Sequence, residues 1–249
     1  MKVTTSLRLW LKGAMICALA MLALGAGRAI AADASVTAIN ILLEPDAKLL
    51  QQAAATNERL LKAFPKGFAL DDSHRAHITL VQRFVLTENL EKVYAAVGKV
   101  FASANVAGLE LEALKHYYLP DKDLGLAGII IKPTPELLKL EQQVIDAVTP
   151  FAVETGTSAA FVTTPEDPEI HPALITYVAE FVPKHSGENY DPHVTTGLAP
   201  RQYLDKMLKE PFKTFTSFPA GAAVYQLGQF GTAAKKLKEW NLKPGGEPN

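Results

Sequence analysis

The chain has 249 residues, is 48% hydrophobic and carries a formal charge of −1. This length supports a globular core. The balance of 25 Lys+Arg against 26 Asp+Glu excludes the dense cationic track of a protein that coats nucleic acid.

The N-terminal stretch reads as a leader. Lys2, Arg8 and Lys12 form a positive region ahead of a 13-residue apolar run, Ala14 to Ala26, followed by Ala29-Ile30-Ala31. The run is too short to span a bilayer comfortably, and small residues at alternate positions mark a cleavage site. A secretory signal is therefore expected over residues 1–31, cut after Ala31 or Ala32, with a periplasmic or secreted product. Cys17 follows Ile16 rather than a small residue, which argues against a lipid-attachment site. Without residues 1–31 the charge falls to −5 and no cysteine remains, so disulfides and thiol chemistry are excluded.

The elements follow in order. Val36 to Leu43 is a β-branched and aliphatic run that predicts a strand ended by Pro45, and Asp46 is placed to cap a helix reaching Ala63. His77 to Val85 predicts a second strand. Thr87 is expected to cap a helix in which Leu90, Val93, Tyr94, Val97 and Phe101 keep helical spacing. Leu109 to Leu119 and Leu126 to Ile131 predict two further strands, with Pro120-Asp121 as a turn. Thr155 to Pro172, rich in Thr, Pro, Glu and Asp, reads as a surface loop. Arg201 to Lys209 predicts a helix and Ala222 to Gln229 a strand. Lys235, Lys236 and Lys238 are expected on a solvated helix face, and residues 241–249 form a flexible tail.

The chain repeats itself. Ile41-Leu42-Leu43-Glu44-Pro45 matches Ile129-Ile130-Ile131-Lys132-Pro133 at an offset of 88, and Leu49-Leu50 matches Leu137-Leu138 at the same offset. In each half the next strong strand opens with His-x-Thr: His77-Ile78-Thr79 and His193-Val194-Thr195. These lie 116 apart, so the second half carries an insertion, placed over roughly 155–185. Residues i and i+2 of a strand share a face. Each motif thus presents an imidazole and a hydroxyl together, and two facing pairs supply a base, an acid and two donors for an anion. Phosphodiester chemistry needs that set.

The pattern resembles the two-histidine (2H) phosphoesterases, the superfamily of 2′–5′ RNA ligase-like proteins and cyclic phosphodiesterases. His77, Thr79, His193 and Thr195 carry the resemblance, supported by Ile78, Leu80 and Val194, by the approach Tyr190-Asp191-Pro192 and by Leu227-Gly228-Gln229-Phe230-Gly231. Thr196 departs from it, standing where an aliphatic residue is usual; it should face away from the site. The resemblance implies an α+β fold of two pseudo-symmetric antiparallel lobes, helices on the outer faces, and a central cleft carrying both motifs. The expected domain is single and bilobal over residues 32–240.

Other residues compete for roles. His74 and His77 are three apart, so on a strand they point to opposite faces and share no metal. Arg83 would share a strand face with His77, Thr79 and Val81 and reach a phosphate there. Tyr117, Tyr118 and Tyr190 are candidates to stack a base. His171 and His185 read as solvated loop residues. The expected activity is an exported, metal-independent and cofactor-free hydrolysis of a cyclic phosphate, in a 2′,3′-cyclic nucleotide or at an RNA end, by a monomer. A non-catalytic phosphate- or nucleotide-binding module, an RNA 2′–5′ ligase and a metal-dependent hydrolase are the rival readings.

Overall fold

Aliphatic runs broken by proline and capping residues make this chain alternate between strands and helices. The computed structural model describes residues 35–165 and 167–242. The expected leader over 1–31 and residues 243–249 of the expected tail lie outside them. The elements are β1 (Val36–Pro45), α1 (Ala47–Ala63), β2 (Ile78–Leu86), α2 (Leu90–Ser103), β3 (Leu111–Asp121), β4 (Leu124–Ile131), α3 (Pro135–Val148) and β5 (Ala152–Val153). Then come α4 (Pro172–His185), β6 (His193–Pro200), α5 (Arg201–Met207), β7 (Phe215–Ser217), β8 (Pro219–Leu227) and β9 (Ala233–Asn241).

The strands form two antiparallel sheets, β5-β2-β1-β8-β9 and β6-β4-β3-β7, giving an α+β fold of two lobes. β1 and β4, the repeated strands, start 88 residues apart and sit beside the two motif strands β2 and β6. The repeat extends to the helix caps. Asp46 and Thr134 each accept a bond from a backbone N–H three residues on, Leu49 at 3.0 Å and Leu137 at 3.2 Å. Such a cap stabilises a helix by about 1 kcal/mol.

The first helix of each repeat packs across onto the other lobe. α1 follows β1 yet rests on β6, where its Leu60 meets Ala127, Ala199, Leu204 and Met207. α3 follows β4 yet rests on β2 and α2, so Leu137 and Val144 share one core with Ile78, Leu80, Val93 and Val97. Burying each such aliphatic side chain contributes about 1.5–3 kcal/mol. The larger cluster, which also holds Ile129, Ile131 and Val194, draws side chains from both sheets and so ties the lobes together.

Several expectations are corrected. The insertion is more than a surface loop: Ala160, Phe161 and Ile170 are buried with Ala38, Phe84, Val178 and Leu227. Its helix α4 packs on β2. It covers the Asn40–Gln82 face of the first sheet, so not every helix lies on an outer face. The lysine-rich stretch is strand β9, not a helix. Bulges against β8 leave Leu237 and Ala234 as extra residues, which spoils the two-residue alternation and hides the strand in the sequence. β3 runs through Pro120 and Asp121, and the turn falls at Lys122, with φ of 51°. β7 pairs only with Leu111 to Ala113, so Pro120 sits at a free edge where its missing N–H costs nothing. Thr87 opens a short 3-10 turn before α2 instead of capping it, and its hydroxyl bonds Thr37 at 2.8 Å.

Candidate active site

The two motif strands approach each other across the junction of the sheets. His77 stands immediately before β2 and Thr79 lies within it; His193 opens β6 and Thr195 follows. All four side chains line one cavity of about 330 Å³.

Each motif ends in a bulge at its fourth position. The β1–β2 register passes from Ile41↔Val81 to Leu42↔Thr79, leaving Leu80 extra; the β4–β6 register passes from Ala127↔Gly197 to Gly128↔Thr195, leaving Thr196 extra. A bulge shifts every later side chain to the other face. Gln82 therefore joins Thr79 in the cavity, while Arg83 pairs with Ile39 on the far side. This corrects the expectation that Arg83 shares the face of His77. Thr196 faces away from the cavity, as expected, and is fully buried. Its carbonyl accepts from Asn57 Nδ2 at 2.9 Å, and the adjoining Gly197 takes φ of 140°, where a side chain would be strained.

The local chemistry of the two imidazoles differs. His77 Nδ1 lies 2.6 Å from the Arg75 carbonyl and His193 Nδ1 lies 2.7 Å from the Asp191 carbonyl, so in both rings Nδ1 carries the hydrogen. Nε2 is the nitrogen without a hydrogen in each ring. At His77, Nε2 faces Asn40 Nδ2 at 3.0 Å, and the same amide donates to Thr79 Oγ1 at 3.1 Å. An amide donor satisfies a neutral ring, not a protonated one. Burial pushes His77 down to about 4, against the bond to the Arg75 carbonyl, and the nearby charge of His193 lowers it further. Burial also lowers His193, but the Asp191 carbonyl and carboxylate oppose it. At the repeat position equivalent to Asn40 stands Gly128. A Cβ there would lie 2.5 Å from the Tyr117 ring, which packs edge-on against His193 at 5.2 Å between centroids.

No protein-family model and no curated protein matches the sequence. Solved structures do. TT0787 of Thermus thermophilus is 15% identical, with 84% of this chain and 100% of that chain covered, at a TM-score of 0.49. E. coli LigT complexed with 3′-AMP is 11% identical, covering 84% and 99%, at 0.39. Kluyveromyces marxianus Usb1 is 11% identical, covering 82% and 97%, at 0.39.

The remaining wall of the cleft was not read from the sequence. α4 supplies Leu174, Tyr177, Phe181 and His185, and Phe230 closes the rim at φ of 61°. His185 is thus no loop residue; its ring lies 4.4 Å from that of Tyr177. Of the three tyrosines singled out, Tyr117 and Tyr190 line the cleft, whereas Tyr118 bonds Asp205 at 2.6 Å outside it. Tyr190 is held by its hydroxyl, which donates to the Thr79 carbonyl at 2.6 Å. His171 caps α4 and His74 is clamped between Asp71 and Asp167 at 3.1 and 3.0 Å.

Proposed function

We propose that the chain is an exported 2H phosphoesterase that opens a cyclic phosphodiester, such as a nucleoside or RNA-end 2′,3′-cyclic phosphate, by histidine acid–base catalysis without a metal. The observation that carries this reading is the pair of imidazoles in one cavity. Each has Nδ1 tied to a backbone carbonyl, and each is paired with a threonine hydroxyl. The basic and apolar leader supports export.

The asymmetry of the pair divides the work. His77, held neutral by burial and by the Asn40 amide, accepts the proton of an attacking water at Nε2 as the Asn40 N–H gives up that lone pair. His193, whose charged form Asp191 favours, donates to the departing ribose oxygen. Water oxygen bonds to phosphorus, the phosphorus–O3′ bond breaks, and a 2′-phosphate results. Thr79 and Thr195 donate to the non-bridging oxygens as charge builds on them. Hydroxyl and imidazolium donors do the electrostatic work that a metal does elsewhere. Hydrolysis is favoured over ligation because a mature charge of −5 makes a poor clamp for structured RNA.

The test is turnover of nucleoside 2′,3′-cyclic phosphates, with a chelator present, by the wild type and by His77→Ala and His193→Ala. Loss of about 10²-fold or more in each variant is expected. Full turnover in both variants would overturn the acid–base pair, and loss of wild-type turnover to the chelator would restore the metal-dependent reading.

A further inference from the structure

The cleft offers an anion few charged partners. Among the described residues, no lysine or arginine lines it, and its single carboxylate is Asp191. Arg75 borders a small adjoining cavity, and its guanidinium donates to Asp72 at 2.6 Å. Arg83 lies on the motif strand but faces away. The histidines register the same poverty of cations: the charges that act on them are that of His193 on His77 and that of Asp191 on His193. Opposite the motifs stand apolar and aromatic side chains from the insertion and the rim, Leu174, Tyr177, Phe181 and Phe230, with Leu119 at the mouth.

We propose that the cleft selects a phosphodiester bearing one negative charge and an uncharged aromatic substituent, and that it rejects ligands carrying a second phosphate. This rests on the reading of the site as a phosphodiesterase. The charge balance is the reason. One shared proton on the two imidazoles neutralises one diester anion. A terminal phosphate adds about 1.5 to 2 further negative charges. Beyond the motifs the cleft offers that group Asp191, the Gln82 and Asn189 amides, tyrosine hydroxyls and the His185 imidazole, but no lysine or arginine, and burying a charge without a full counter-charge is costly. The diester's other substituent is different. A planar base finds Tyr177 with His185 and the edge of Phe181 as a stacking wall, which favours any base without reading its sequence. A cavity of about 330 Å³ is at the small end of ligand sites and suits one nucleoside. The insertion thus acts as a charge filter as well as a wall.

The experiment compares two esters that differ by one group, a nucleoside 2′,3′-cyclic phosphate and the same compound with a 5′-phosphate. The expected kcat/KM for the 5′-phosphorylated ester is at least about tenfold lower, a ratio needing only about 1.4 kcal/mol. Leu119→Lys, at an exposed position on the mouth, is expected to narrow that ratio. Equal rates, or a preference for the second phosphate, overturn the inference and leave the phosphodiesterase reading standing. If neither ester is turned over, the phosphodiesterase reading falls. The charge filter is then read by calorimetry on the wild type, comparing nucleoside 2′-monophosphate with the 2′,5′-bisphosphate. Tighter binding of the bisphosphate overturns it there.

Discussion

Asn40→Ala removes the amide that distinguishes the two histidines. Asn40 is fully buried and gives hydrogen bonds to His77 Nε2 and Thr79 Oγ1 at 3.0 and 3.1 Å. Leaving those acceptors unpaired costs about 1–3 kcal/mol of stability. The effect on titration follows from the same bond. The amide favours neutral His77, so a bond worth about 1 kcal/mol holds its pKa down by about 0.7 units. The acid limb of kcat/KM, set by His77 near 4, is therefore expected to move up by about half a unit to one unit in Asn40→Ala. Asn40→Asp places a carboxylate there and favours the imidazolium, so the limb should rise by about two units or more. The assay is kcat/KM for a cyclic phosphate from pH 3.5 to 8, with urea unfolding in parallel. An acid limb that stays put in both variants refutes the claim that Asn40 sets the protonation state of His77.

The wild-type profile itself should be a bell displaced to the acid side. It falls below about 4 as His77 gains a proton, and falls again below the ordinary histidine value of 6.5 as His193 loses its own; an optimum at pH 8 contradicts the assignment. Stability carries a related signature. The unfolded chain binds a proton at His77 near 6.5 and the folded chain only near 4, so stability is lost as pH falls through that window, by up to about 3 kcal/mol. Urea midpoints of wild type and His77→Gln should converge on acidification. Gly197→Ala forces a side chain into a φ of 140° and brings Cβ to 2.9 Å from Asn57 Nδ2, which should destabilise the protein by about 2 kcal/mol or more in thermal or urea unfolding.

What could be read in advance depended on how local its cause is. Asp46 and Thr134 cap their helices through bonds spanning three residues, so both helix starts and the 88-residue repeat stand in the sequence. The placement of His77, Thr79, His193 and Thr195 follows from strand alternation before any bulge. Gln82 was missed and Arg83 misplaced because the bulge at Leu80 reverses that alternation, and a bulge depends on the partner strand. Asn40 had a usable signal, a lone amide within an aliphatic strand, where a buried polar group must find a partner. The side on which α4 lies had none. Its buried Val178 and Phe181 show that a face is covered, and only tertiary packing decides against which sheet.

The position of β1 bears on how the chain acquires its structure. Its neighbours are β2, a few dozen residues on, and β8, whose Gln226 pairs with Ile39. Among the described residues the first strand thus waits for β8 before its sheet is whole. Loop closure of that span is slow, because ordering entropy is lost before the pairing compensates it. The first sheet therefore cannot be completed until β8 has been made. In the interim, the aliphatic faces of β1 and β2 are surfaces that a chaperone can hold.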